Sequence, residues 1–259
     1  MINNPVDHNA ALKFSASRGL MDALTTRDSF SPLYYTKTEI EEIAQTLQKE
    51  HVKIGQFIGE KGTEESFRDL SGKNVNILHM ATHGMYVGKN FEQEKNDKNL
   101  LFIQDSNAQY TSFSEDQQMT RSFLVMTGGN MLPQRKEIQT GMDDGILTAQ
   151  EISLLDFQNL DLVTLSACQT ALGDITQEGV IGLQRGFKKA GANTILMSLD
   201  KVDDEATKIL MVEFYKNLMS GKSKLQSLKD AQKYLREYDN GKYDKPEYWA
   251  SFIMLDGLD

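Results

Sequence analysis

Apolar positions recur in two ways along this chain, and the difference predicts its elements. Leu160 to Ala167 (L-D-L-V-T-L-S-A), Thr194 to Leu199 (T-I-L-M-S-L) and Val75 to Ala81 (V-N-I-L-H-M-A) are short apolar runs. Such runs, bounded by polar residues or glycine, predict buried strands. Val52 to Ile58, Phe123 to Met126 and Trp249 to Leu255 predict three more. Elsewhere the apolar residues fall at helical spacing. Ile40, Ile43, Ala44 and Leu47 form one face, and Thr38 with Glu41 has the capping-box spacing, so a helix is predicted from Thr38. Helices are also predicted over Glu64 to Leu70, Glu178 to Lys189, Asp203 to Met219 and Ser223 to Tyr238. In the second of these Val180, Leu183 and Phe187 share a face, and Gly191 supplies the stop.

Strands that read as continuous apolar runs and alternate with helices predict an α/β fold. Its central sheet is mostly parallel, with helices on both faces. Residues 1–32 are a weakly structured extension punctuated by Pro5 and Pro32, and 33–259 form the domain. The polar stretch 88–121, rich in Asn, Gln, Lys, Asp and Ser, reads as a long excursion from it, and Met131 to Asp144 as a second loop. Loops of this length in a compact domain are usually functional.

Composition narrows the function classes. The chain has 259 residues, 39% hydrophobic and 25% charged, which suits a folded domain with a real core. The formal net charge is -9, and no basic block is present, so non-specific nucleic-acid binding is not expected. No run approaches the roughly 18 apolar residues of a membrane helix. The polar start, Met1 to Ala10, carries no signal-peptide core, and Cys168 is the one cysteine, so the expected compartment is a reducing cytoplasm.

Few residues are left to carry chemistry. Open parallel sheets gather functional groups beyond the carboxyl ends of their strands. One predicted strand ends in Ala81-Thr82-His83-Gly84, another in Leu165-Ser166-Ala167-Cys168. Parallel strands put both ends on one edge, where an imidazole can take the proton of a thiol and return it to a leaving amine. Gly84 gives a substrate carbonyl close access to a backbone N–H. A lone cysteine at a strand end also serves as a small buried hydrophobe, and His79, on the strand itself, reads as a packed core histidine. His8 and His51 read as surface residues. There is no H-E-x-x-H and no second cysteine, so no zinc site is expected. Gly221-Lys222-Ser223 lacks the upstream glycine of a phosphate loop, and Gly179, Gly182 and Gly186 lack dinucleotide spacing. Asp203-Asp204-Glu205 opens a helix where carboxylates favour the positive end of the dipole.

These residues belong to a longer series. His79-Met80-Ala81-Thr82-His83-Gly84 and Leu165-Ser166-Ala167-Cys168-Gln169-Thr170-Ala171-Leu172-Gly173 resemble the paired signature of CHAT domains. The likeness continues through Asp144 to Ile152, Glu178 to Arg185, Ala190-Gly191-Ala192, Met197 to Leu199, Lys201 to Thr207 and Tyr248 to Phe252. CHAT domains are caspase-like, separase-related cysteine peptidases. The resemblance implies a three-layer sandwich and a His–Cys dyad, with Cys168 as nucleophile and His83 as general base and acid. The N–H groups of Gly84 and Cys168 would form the oxyanion hole, with no cofactor and no metal.

It further implies a protein or peptide substrate, no nucleic-acid or membrane partner, an upstream helical-repeat sensor or regulator, and a bacterial regulatory or defence setting. One position departs from the family pattern, which has Trp where this chain has Asp200. A carboxylate there is expected to line the pocket for the residue before the scissile bond and to favour Arg or Lys. Lys98, Arg121, Arg135 and Lys136 then become candidate self-cleavage sites. The alternatives are a catalytically silent interaction module, or an acyl hydrolase or transferase on the same dyad.

Overall fold

The computed structural model describes residue 30 and residues 33–86, 119–129, 143–166, 173–176, 179–199 and 202–255. In chain order these form α1 (Thr36–Lys49), α2 (Glu64–Arg68), β1 (Ile77–Met80), β2 (Gly84–Tyr86), β3 (Ser122–Val125), β4 (Ile146–Thr148) and α3 (Ala149–Ile152). The second half contributes β5 (Leu162–Leu165), β6 (Gly173–Thr176), β7 (Gly179–Gly182), α4 (Leu183–Ala190) and β8 (Thr194–Ser198). It ends with α5 (Asp204–Met219), α6 (Lys224–Glu237), α7 (Pro246–Trp249) and β9 (Phe252–Leu255).

The central sheet has the order β1-β5-β8-β9. β1, β5 and β8 run parallel, and β9 joins antiparallel at the edge. Successive side chains of β5 point to opposite faces. Val163 and Leu165 enter one apolar cluster with Phe67, Ile152, Leu183 and Phe187, whereas Leu162 enters another with Ile43, Leu210, Phe214 and Leu228. Helices thus cover both faces, as the apolar runs predict. Truncating a fully buried residue such as Leu165 to Ala costs about 2–5 kcal/mol.

The helix ends follow from local chemistry. Asp203 caps α5 by accepting the Ala206 N–H (2.9 Å), and Ser223 caps α6 through Gln226 N–H (3.3 Å). Gly191 ends α4 at φ 109°, a left-handed conformation that suits glycine.

The structure corrects several expectations. α1 starts at Thr36 after Tyr35, with no side-chain cap, and Thr38 lies inside the helix. Residues 52–58 form no strand, and none of the described strands pairs with them; Val52 and Phe57 are exposed. The helix expected from Glu178 begins only at Leu183, since Gly179–Gly182 pairs antiparallel with Gly173–Thr176 as a hairpin. Trp249 closes the short α7, and the last strand begins at Phe252. β2, β3 and β4 form a separate antiparallel sheet; the expected excursion 88–121 falls between β2 and β3, and 88–118 lies outside the described residues.

Candidate active site

β1 leads directly into the site. After Met80 the chain leaves the parallel sheet, and Thr82 and His83 carry it to β2. Two bonds fix this crossover: Thr82 Oγ1 donates to the Val125 carbonyl, and the Val125 N–H donates to the His83 carbonyl (2.8 Å). His83 therefore sits at a pinned junction between two sheets rather than on a free loop. The ring of Phe30 lies against its imidazole, with centroids 5.5 Å apart and planes tilted 37°. Phe30 is 7% exposed.

The ladder also sets the direction of the Gly84 N–H. In an antiparallel pair, opposed residues alternate between those that exchange bonds and those whose N–H groups point away. His83 and Val125 bond, so the next opposed pair, Gly84 and Leu124, is of the second kind. The Gly84 N–H is thereby turned away from β3.

β5 ends beside β1. Its partners differ by 85 positions throughout, from Ile77 with Leu162 to Met80 with Leu165, and the Ser166 N–H still donates to the Met80 carbonyl (2.9 Å). Cys168 itself lies outside the described residues, as does Asp200, which follows Leu199 beyond the end of β8.

A narrow cleft opens at this edge. Leu33 and Thr36, at the start of α1, form one wall; Thr82 and Ser166, at the ends of the β1 and β5 strand paths, form its base. Val202, Asp204 and Thr207, around the start of α5, form the other wall. Asp204 accepts the Tyr35 N–H (2.9 Å), which links the two walls.

A family model described as CHAT domain matches residues 2–257. The chain belongs to the CHAT-domain family. That family has a caspase-like fold, and the mixed α/β architecture with its mostly parallel sheet agrees with it. Two relatives carry the name tetratricopeptide repeat protein 28. The mouse protein is 34% identical over 111 residues, and the human protein 30% over 137. The matched segments cover 42% and 48% of this chain but only 4% and 5% of those proteins.

Other sequence expectations of this CHAT domain resolve individually. His79 is a core residue: its Nε2 lies 2.8 Å from Glu39 Oε1, and its ring meets Tyr215 edge-on at 5.5 Å. His51 is exposed. Arg121 is 6% exposed and hence not open to cleavage, which removes it from the self-cleavage candidates. Lys98, Arg135, Lys136 and His8 lie outside the described residues. Among the described residues no group of three or more His, Cys, Asp or Glu is placed to hold a metal ion, and no helix is long and apolar enough to cross a membrane.

Sequence reasoning missed a buried carboxylate group behind the site. Glu64 accepts the Gly145 N–H (2.5 Å) and pairs with Arg68 (3.3 Å), which also pairs with Asp143. Burial, then the charges of Glu151, Asp144 and Asp143, push Glu64 from an ordinary 4.5 to about 8. Burial also raises Glu151, although the Thr148 N–H and hydroxyl hold it back. Thr148 and Glu151 form a reciprocal capping box on α3, and T-A-Q-E was the available signal. The Gly145 carbonyl accepts the Met126 N–H (2.7 Å), so the cluster braces the end of β3 that also holds His83.

Proposed function

We propose that this CHAT domain is a cysteine endopeptidase working through His83 and Cys168 on protein or peptide substrates. The observation that supports the reading is that β1 and β5 are adjacent, parallel and end together, so the segments that carry His83 and Cys168 leave from the same edge of the sheet. Adjacent strands lie about 4.8 Å apart, which starts the two segments close enough for a thiol–imidazole contact.

In this reading His83 takes the Cys168 proton, and the thiolate attacks the scissile carbonyl carbon. The Gly84 N–H, turned away from β3, and the Cys168 N–H receive the developing oxyanion. The C–N bond breaks as the imidazolium protonates the leaving amine, and a thioester remains. Water, deprotonated by His83, then hydrolyses the thioester and frees Cys168. In this reading Asp200 lines the first substrate pocket and favours Arg or Lys. A helical-repeat protein is the proposed regulator, supported by the repeat-containing names of the relatives.

The reading is tested with a peptidyl-arginine acyloxymethyl ketone. A covalent adduct mapped to Cys168 and lost in His83→Ala supports it. A chain that stays unlabelled while remaining folded contradicts it.

A further inference from the structure

We propose that Glu64 is a positioning residue for His83: it holds the Gly145 turn, and that turn holds the end of β3 to which the His83 carbonyl is bonded. The inference rests on the endopeptidase reading and adds to it a residue that acts on the dyad only through other residues.

The connection is continuous. Glu64, on α2, accepts the Gly145 N–H through Oε1 (2.5 Å). The Gly145 carbonyl accepts the Met126 N–H (2.7 Å), and the adjoining Val125 N–H donates to the His83 carbonyl (2.8 Å). The Val125 carbonyl also accepts the Thr82 hydroxyl, so Thr82 and His83 both hang on one residue of β3. A second tie runs beside the first. Thr127 donates from its N–H to the Gly62 carbonyl (2.9 Å) and from its hydroxyl to the Gly59 carbonyl (2.6 Å), just ahead of α2. The turn has no slack: Gly145 packs so closely on the Gly129 backbone that a Cβ would overlap it. A shift of the turn is therefore passed to the end of β3.

Charge makes this hold depend on a proton. Glu64 is 2% exposed. Arg68, on the same helix, pairs with Glu64 and with Asp143. Asp143 and Asp144, which lead into the turn, and Glu151 on α3 bring three further carboxylates to Glu64. Each is already held in place. Asp143 accepts the Glu65 N–H (3.0 Å), Asp144 the Ile146 N–H (2.8 Å), and Glu151 the Thr148 N–H (2.8 Å) and hydroxyl (2.7 Å). A neutral Glu64 sits among them without repulsion, whereas a charged one is pushed away from the turn it holds. The Gly145 N–H favours the charged form, but less than burial and the carboxylates disfavour it, and the change falls at about 8. The turn is held below that pH and loosened above it.

The test reads amide signals and rates on the same proteins. In nitrogen–proton correlation spectra of the wild type, the amides of Gly145, Met126 and Val125 are expected to shift together as pH passes about 8. In Glu64→Gln, which keeps an oxygen for the Gly145 N–H but cannot ionise, they are expected to stay in place. For peptide hydrolysis, Glu64→Ala is expected to lower kcat about tenfold or more with a smaller change in KM, and Glu64→Gln to retain more activity. The ratio of kcat/KM for Glu64→Gln to wild type cancels the titration of the dyad itself. It is expected to rise about threefold or more as pH passes about 8. A residue that only stabilises the fold leaves this ratio flat at a temperature where both proteins are folded. A flat ratio, or Met126 and Val125 amides that show no step, overturns the inference and leaves the dyad standing. A wild-type chain that hydrolyses no peptide overturns the endopeptidase reading and this inference with it.

Discussion

Glu39 and His79, forty residues apart in sequence, meet inside the protein with Oε1 and Nε2 2.8 Å apart. Glu39 is on α1 and His79 on β1, so the contact ties a covering helix to the strand that ends at His83. Both side chains are nearly inaccessible, and Glu39 Oε2 and His79 Nδ1 have no hydrogen-bond partner. Glu39→Ala leaves the imidazole buried and unpaired, at an expected cost of about 1–3 kcal/mol. Replacing both residues by Leu removes every orphaned atom and is expected to cost less than the single change. Denaturant midpoints of the three proteins test this; a double variant weaker than Glu39→Ala contradicts it.

The Phe30 ring lies against the His83 imidazole and helps to fix its orientation. Phe30→Ala is expected to lower kcat about tenfold or more with a smaller change in KM, since misplacing a reacting group affects the chemical step. Phe30→Leu keeps the apolar wall and is expected to retain more activity. Steady-state kinetics separate the two; equal kcat for Phe30→Ala and wild type contradicts the role.

The carboxylates around Glu64 make stability depend on pH. In the fold Glu64 keeps its proton up to about 8, whereas the unfolded chain releases it near 4.5. The folded state therefore binds more protons between those values, and this contribution to stability falls as pH rises from about 4.5 to 8. It is full below the window and lost above it. Glu64→Gln keeps a carbonyl oxygen for the Gly145 N–H and abolishes the titration. Its stability is expected to decline less steeply over that range, measured by urea unfolding at stepped pH. Identical slopes contradict the assignment.

Gly145 joins this cluster to β4 at φ 81°, and a methyl group there would strike the backbone of Gly129. Gly145→Ala is expected to destabilise the protein by at least about 2 kcal/mol, from overpacking and from the left-handed backbone. A thermal midpoint equal to wild type contradicts this.

What the sequence made legible depended on how local the cause was. β5 and β8 are buried on both faces and show as unbroken apolar runs, and Asp203 and Ser223 mark helix starts by their own side chains. Residues 52–58 have the same apolar look but pair with none of the described strands, and pairing is a tertiary property. Gly179–Gly182 carries a helical face on paper, yet it pairs with Gly173–Thr176 instead. β2 is three residues long, too short to carry a period. In the site, His83 was legible as a strand-end histidine. Phe30 against it and Glu39 beside His79 were not, because each depends on elements brought together by the fold.

The central claim, a peptidase built on His83 and Cys168, is tested most directly by rates of peptide hydrolysis for wild type, Cys168→Ala and His83→Ala. Residues that act as a unit are not additive, so each single change is expected to remove nearly all the activity, about a thousandfold or more. Both variants are expected to unfold at temperatures close to wild type. A Cys168→Ala protein that cleaves at the wild-type rate contradicts the account.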